Sequence, residues 1–251
     1  DYDITVMQSR AFVQGQLELD RFDLFASAHI THNRFFRTGN NRNGLFPDNS
    51  FGDSEKKDFL NYGVKGGVTY KINGRNYLIA NGAYLTRAPF AQNAFVSPRT
   101  RNDMVDGLTS ETIYSFEGGY LLKAPKVKGR AIFYFSQFLD GADAYSFYYD
   151  LERNFVNIAL TNIDKRHMGG EFALEVEVAP GLNITGVTSL GQHIYTSRQE
   201  ATITLDNSAE IVEEDVTIYS KNFFVDGSPQ MAATIGLNYR SPKYWFASLN
   251  F

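Results

Sequence analysis

Apolar and polar residues alternate along most of this chain with a period of two. Between Leu60 and Ile72, every second residue is apolar, aromatic or glycine, and the residues between them are Asn, Gly, Lys and Thr. Successive residues of a β-strand point to opposite faces of its sheet, so the pattern predicts one strand with an apolar and a polar face. This strand is much longer than the ~5–6 residues of an ordinary one.

The same alternation recurs from one end of the chain to the other. Asn73-Gly74, directly after the strand just described, is the strongest short signal for a β-hairpin. The pattern predicts ten long strands, near residues 3–18, 22–37, 57–72, 75–88, 110–123, 128–140, 165–179, 182–197, 229–241 and 244–251. The chain therefore reads as a succession of antiparallel hairpins.

Short and long connections alternate between these strands. The long ones fall near 38–56, 88–109, 141–164 and 198–228. In an up-and-down sheet, all long connections then lie at one end, as in outer-membrane barrels with apolar-out and polar-in alternation. A closed barrel also satisfies every backbone N–H and C=O group inside lipid. We predict an all-β, antiparallel, up-and-down transmembrane β-barrel. The alternative is a soluble antiparallel sheet with one solvated face, which shows the same alternation.

Composition agrees with strands and narrows the function classes. Of 251 residues, 15 are Tyr and 21 are Phe, residue types that favour strands. The formal net charge of -4 gives no support to a nucleic-acid partner. The chain has no Cys, which excludes a disulfide scaffold and thiol chemistry.

Three motifs resemble features of TonB-dependent outer-membrane receptors. The fourth predicted strand ends in Arg87-Ala88-Pro89, followed by Phe90. The segment Asn162 to Gly191 contains a Gly-x-Glu element, an alternating strand, a Pro-Gly turn and an alternating return strand. The C-terminal RSPKYWFASLNF is a short turn followed by an aromatic-rich strand. The hairpin architecture covers nearly the whole chain, whereas these motifs cover a smaller part of it.

The resemblance also sets an expectation about domains. The resemblance implies a barrel of about twenty-two strands that is closed around an N-terminal plug. Ten strands and no plug are predicted here, so we expect residues 1–251 to form a single barrel domain from the later half of a larger receptor, with the plug missing. Phe251 resembles the terminal aromatic residue of outer-membrane proteins. A complete ten-stranded barrel is the structural alternative.

The resemblance implies energised import across the outer membrane of a Gram-negative bacterium, with no enzymatic activity and no cofactor. A scarce ligand would bind the extracellular loops and the plug, and TonB would act through the plug. The implied partners are outer-membrane lipids, TonB, an unidentified nutrient (siderophore, cobalamin, glycan or peptide) and, as a further option, a surface lipoprotein. The alternatives are a passive porin, a ten-stranded outer-membrane protease and, more distantly, a soluble carbohydrate-binding domain.

The candidate site residues lie in one long loop and on the polar face of two predicted strands. Phe90, Phe95, Arg99 and Arg101 combine aromatic rings with guanidinium groups, which suits an anionic or sugar-like ligand; an ordinary charged loop is the alternative. A second set, predicted to line the lumen wall because charges are expensive in lipid, comprises Glu171, Glu175, Glu177 and Arg240.

The four histidines do not form a metal site by spacing. His29 and His32 are three residues apart on one strand and therefore point to opposite faces. His167 and His193 lie on adjacent predicted strands, where a hydrogen-bonding role is favoured over metal binding. The loop 198–228 is acidic, which suits either cationic ligands or simple solvation.

Overall fold

Antiparallel strands and one short helix make up this computed structural model, which describes residues 1–150, 153–206 and 211–251, without the side chains of residues 211, 212 and 214. A 3-10 helix spans Ala91–Asn93. In the part of the chain that the structure describes, no helix is long and apolar enough to cross a membrane. The strands are β1 (Tyr2–Glu18), β2 (Phe22–Gly39), β3 (Gly52–Asp53), β4 (Lys57–Asn73), β5 (Asn76–Arg87), β6 (Glu111–Lys123), β7 (Val127–Tyr149), β8 (Asn154–Ala179), β9 (Leu182–Tyr195), β10 (Gln199–Leu205), β11 (Ile211–Ile218), β12 (Met231–Arg240) and β13 (Phe246–Asn250).

The long strands form one meander. Their order in the sheet is β1-β2-β4-β5-β6-β7-β8-β9-β12-β13, so strands that follow one another along the chain are also neighbours in space. The turns that join β1 to β2, β4 to β5, β6 to β7, β8 to β9 and β12 to β13 lie at one end of the sheet, the turn end. The other connections of the meander lie at the opposite end, the loop end. The predicted antiparallel meander of ten strands is confirmed. Among the described residues no pairing joins β1 to β13, so the sheet is an open wall.

Three of the predicted long loops contain strand residues, and the shortest of these strands is β3, within 38–56. β7 and β8 continue through much of 141–164, reaching 23 and 26 residues. Register shifts interrupt their pairing near Asp140 and Asn162, which have positive φ values of 60° and 54°. An extra residue in a strand reverses which side chains face which way, so these bulges break the alternation that reveals strands in sequence. In the loop 198–228, β10 pairs with both β8 and β11.

The register separates the sheet into an apolar face and a polar face. Directly opposed residues on one row from β1 to β12 are all apolar or glycine. They are Leu17, Leu24, Val68, Ala80, Gly118, Phe133, Gly170, Leu190 and Met231. Most of their large side chains are exposed. We call this side the apolar face.

Aromatic residues bound the apolar face at both ends. The belt at the loop end contains Tyr62, Tyr84 and Tyr114, and the belt at the turn end contains Phe22, Tyr70, Tyr120, Tyr239 and Trp245. Neighbouring rings contact each other, for example Phe22 and Tyr70 with centroids 5.0 Å apart. Beyond the belt at the loop end, the same face becomes charged, since Asp58 Oδ1 accepts hydrogen bonds from Arg34 and His32 at 2.8 and 2.7 Å. His29 lies on the opposite face from His32, as predicted.

The polar face carries charged and amide groups that pair across neighbouring strands. Lys71 lies 2.5 Å from Asp23, and the Asn81 amide donates to Glu117. Arg130 lies 3.2 Å from Glu171. Such cross-strand pairs are the usual stabilising contacts of antiparallel sheets.

We predict that Gly169→Val destabilises the sheet, whereas Gly186→Val on the next strand does not. A Cβ at Gly169 would lie 2.4 Å from the Leu190 carbonyl oxygen and 2.8 Å from the Tyr134 hydroxyl, whereas a Cβ at Gly186 would meet nothing within 4 Å. Overpacking of this kind costs about 1–3 kcal/mol. The measurement is chemical unfolding of the purified full-length protein in detergent micelles; equal midpoints for the two variants would contradict the close contact at Gly169.

Candidate functional site

Two covering loops, residues 40–51 and 88–110, lie over the loop end of the polar face. An apolar cluster anchors the second of these loops to the sheet. Phe35 of β2 stacks on Phe59 of β4 with centroids 5.6 Å apart, and Phe95 of the second loop meets Phe35 edge-on at 6.5 Å. Ala94, Val105 and Leu108 complete the cluster. Burial of apolar side chains therefore holds the second loop against the sheet.

A buried arginine connects both covering loops to β2. Arg37 is 1% exposed. Its guanidinium donates to Ser50 O at 3.1 Å, to Pro98 O at 2.7 Å and to the Asn102 side chain, and it lies 5.2 Å from the centre of the Tyr2 ring. Burial lowers the pKa of this guanidinium, but an arginine side chain stays protonated in proteins. The charge is thus stabilised by carbonyl and amide oxygens from both loops.

The segment 87–93 joins the end of β5 to the rest of the second covering loop. Arg87 pairs with Glu111 of β6, and its guanidinium carbon lies 5.4 Å from the Phe90 ring centre. Asn93 donates to Asp143 Oδ1 at 3.0 Å, which ties the segment to β7. Arg87-Ala88-Pro89 therefore marks the point where the chain leaves β5 and crosses the polar face.

A cavity lies on each side of this segment. The first, which we call the mixed-charge cavity, measures about 250 Å³. Its charged lining residues are Arg87, Glu111, Asp140, Asp143 and Lys165. The second, which we call the cationic cavity, measures about 460 Å³. Its polar lining includes Arg10, His29, Thr31, Asn33, Asn61 and Lys65, with Arg87 and Phe90 at the covering segment.

The two histidines of the Gly-x-Glu hairpin are in contact. His167 and His193 are directly opposite on β8 and β9, and their Nδ1 atoms are 2.9 Å apart, so one ring donates a hydrogen bond to the other. The Tyr134 ring stacks on His193 at 6.3 Å with an interplanar angle of 9°. The predicted hydrogen-bonding role is confirmed. Within the described residues, no group of three or more His, Cys, Asp or Glu could hold a metal ion.

The four predicted ligand contacts lie in different environments. Phe90 is 60% exposed and lines both cavities. Phe95, which is 1% exposed, belongs to the apolar cluster. Arg99 lies 2.7 Å from Asp206 and 4.3 Å from the Phe155 ring centre, and Arg101 is buried against Phe46 with its guanidinium 4.8 Å from that ring. The structure does not bring the four together, and ligand contact stays a prediction, with Phe90 the residue best placed for it.

The predicted wall residues share the polar face. Glu171 and Glu175 pair with Arg130 and Lys128, at 3.2 and 3.0 Å. Glu177 accepts a hydrogen bond from the Gly181 backbone at 3.3 Å, near the turn end. Arg240 lies on the same face at the end of β12. Their assignment to a barrel lumen stays a prediction.

Part of the acidic loop is structural rather than open to ligands. Asp206 is buried and accepts from Ser97 and Asn157 at 2.8 and 2.6 Å, in addition to its contact with Arg99. The loop 198–228 is thereby joined to the second covering loop. Glu210 lies outside the described residues, as does the side chain of Glu214.

Sequence reasoning missed Arg37, Asn61 and Asp206. Arg37 and Asn61 occupy ordinary polar positions of alternating strands, where a solvated side chain is the default expectation. Their burial results from loops that are distant in sequence, so no local signal could have revealed it. Asp206 is one of several acidic residues in the loop 198–228, and its local sequence does not distinguish it from the others.

Comparisons with known proteins give similar structures and no similar sequences. No protein-family model matches the chain, and no curated protein matches it. A structure of the copper transporter OprC aligns over 99% of this chain and 42% of its own, with a TM-score of 0.67 and 14% identity. The closed form of the ferric-catecholate import receptor Fiu from E. coli K12 aligns over 99% of this chain and 40% of its own, with a TM-score of 0.55 and 12% identity.

The likeness concerns the fold. Both neighbours are TonB-dependent receptors with a β-barrel fold, and the antiparallel sheet of this chain matches that fold. The predicted fold class is confirmed. The chain spans about two fifths of the neighbours' length.

We predict that Arg37→Met loosens both covering loops without unfolding the sheet. The substitution removes the donor from the buried carbonyl group of Ser50 and from the partly buried carbonyl group of Pro98. A buried group left unsatisfied costs about 1–3 kcal/mol. Hydrogen–deuterium exchange of the full-length protein should accelerate in residues 43–50 and 97–102. Arg42→Met, which removes an exposed guanidinium from the same loop, is the control and should change little. Unchanged exchange in Arg37→Met would contradict the role of this side chain.

Proposed function

We propose that this chain is the wall and part of the ligand-binding end of an outer-membrane receptor that imports a scarce extracellular ligand with energy from TonB. The observation that carries the proposal is that one sheet combines two different faces. One face is apolar, exposed and bounded by aromatic belts, and the other is polar and covered at one end by loops.

The apolar face supports a location in the lipid bilayer. A continuous row of exposed apolar side chains is unfavourable in water and marks a membrane or interaction surface. Tyr62 and Tyr70 of β4 are eight residues apart, about 27 Å along a strand at ~3.4 Å per residue. With a tilt of about 40°, the belts are about 20 Å apart, comparable with the ~25 Å apolar band of outer-membrane barrels. The location proposed is the outer membrane of a Gram-negative bacterium.

The covered polar face supports a receptor rather than an open pore. The covering loops fill the loop end of this face and leave two cavities with charged linings, one on each side of the Arg87-Ala88-Pro89 segment. A concave site with a few convergent polar groups is typical of ligand binding. One structural neighbour is named a copper transporter and the other an import receptor. Import therefore fits both the surface and the fold.

The remaining partners follow from the same proposal. In the complete protein, a plug domain outside residues 1–251 would fill the barrel and contact TonB. Outer-membrane lipids would contact the apolar face. The ligand would be a siderophore, cobalamin, glycan or peptide, and a surface lipoprotein would be compatible with the loop end. The chain would have no catalytic role.

We predict that Leu190→Lys impairs assembly in the outer membrane and Ser189→Lys does not. These neighbours in β9 point to the apolar and the polar face. The cost of a lysine that faces lipid depends on its depth, and reaches about 2–4 kcal/mol at the bilayer midplane. The measurement is the amount of heat-modifiable protein in the outer-membrane fraction. Equal assembly of the two variants, or a wild-type protein recovered in solution without detergent, would contradict the membrane location.

Energy coupling has a separate test. Transposon or deletion libraries grown on single limiting nutrients identify the nutrient for which the receptor gene is needed. We expect its uptake to fall to the background level both without the receptor and without TonB. Uptake that needs the receptor but persists without TonB would instead identify a passive channel.

A further inference from the structure

The floor of the cationic cavity is built from opposed positions of three strands. On one row of the polar face, Arg10 of β1 faces Thr31 of β2, and Thr31 faces Asn61 of β4. On the next row of the polar face toward the turn end, His29 is opposite Gly63. A Cβ added at Gly63 would lie 2.3 Å from the His29 ring. Glycine at this position therefore leaves the room that the imidazole occupies. The register fixes this arrangement, because a slip by one residue would move every member to the apolar face.

One side chain in this floor is buried without a partner. Asn61 is 2% exposed, and neither its amide nitrogen nor its amide oxygen has a hydrogen-bond partner among the described residues. Leaving a buried polar group unsatisfied costs about 1–3 kcal/mol. Native proteins rarely accept that cost except where the group has another role. Because Asn61 lines the cavity, an unpaired donor and an unpaired acceptor lie at the cavity wall.

The charges around the cavity have one sign. None of the described residues that line it carries a carboxylate, whereas Arg10, Lys65 and Arg87 do carry positive charges. The charge of Arg87 is balanced by Glu111. Across the described chain, no ion pair involves Arg10 or Lys65. Two unbalanced cations therefore flank a buried amide.

From this geometry we propose that the cationic cavity binds a small organic anion. A carboxylate or phosphate group lies between Arg10 and Lys65, and a hydroxyl or amide of the same molecule exchanges hydrogen bonds with Asn61. Pro89 and Phe90 supply apolar contact from the covering segment. The inference rests on the proposed function, since the anion is then the imported ligand or a part of it. It narrows the ligand to molecules that carry negative charge.

The test is binding to the purified full-length protein in detergent micelles, measured by calorimetry. The probes are inorganic phosphate, citrate and D-glucuronate, with D-glucose as the uncharged analogue of glucuronate. We expect saturable binding of at least one anion, weakened as salt concentration rises, and no binding of glucose. Lys65→Gln and Asn61→Asp should each weaken that binding at least tenfold. Lys128→Gln removes a lysine of the same face that already pairs with Glu175, and should leave it unchanged.

Three results would overturn the proposal. One is binding of none of the three anions at millimolar concentration by a protein that retains its heat-modifiable fold. Another is an affinity that Lys65→Gln and Lys128→Gln lower equally. The third is a large loss of thermal stability in Lys65→Gln with anion binding intact, which would assign the cations to a carboxylate of the same polypeptide. Uptake is not part of this test, so a failure of energy coupling would leave the binding result interpretable.

Discussion

The pairing of backbone groups between neighbouring long strands is the constraint on which the rest of this structure depends. Each strand of the meander has to satisfy its N–H and C=O groups through its neighbours, and that pairing fixes the register from β1 to β12. Because side chains alternate strictly, register alone determines which residues share a face. The all-apolar row through Leu24, Phe133 and Leu190 is the result. The ion pairs of the polar face and the floor of the cationic cavity follow from the same register.

The register shifts between β7 and β8 help to form a cavity. β7 has an extra residue near Asp140 and β8 has one near Asn162, so the two strands come back into antiparallel pairing beyond them. The bulges lie at the loop end, beyond the apolar row, where the separation of faces is no longer required. Asp140 and Gly141 line the mixed-charge cavity as a consequence. A local irregularity of the ladder therefore supplies part of the cavity lining.

The period-two alternation predicts the strands and the contacts between neighbouring strands of a hairpin. It does not predict burial by loops that are distant in sequence. The ten strands, the short turns and the contact of His167 with His193 depend on period and on adjacency in a hairpin, and the sequence predicted all of them. The burial of Arg37 and Asn61 depends on loops that fold back from distant parts of the chain. Phe95 illustrates the same limit: an aromatic residue in a polar loop suggested a ligand contact, yet it packs on Phe35 and Phe59. The strands around Asp140 were missed because two bulges interrupt the period.

The Arg87-Ala88-Pro89 segment connects the end of β5 to the covering segment shared by the two cavities. Its arginine is neutralised by Glu111 at the wall, and Pro89, which has no backbone N–H, leaves the ladder where β5 ends. From there the chain is held on the far side by the bond from Asn93 to Asp143. Both cavities consequently share one covering segment, fixed at the sheet by an ion pair and at β7 by a hydrogen bond. Because Phe90 lines both cavities, a molecule bound in either one would contact a side chain that also borders the other.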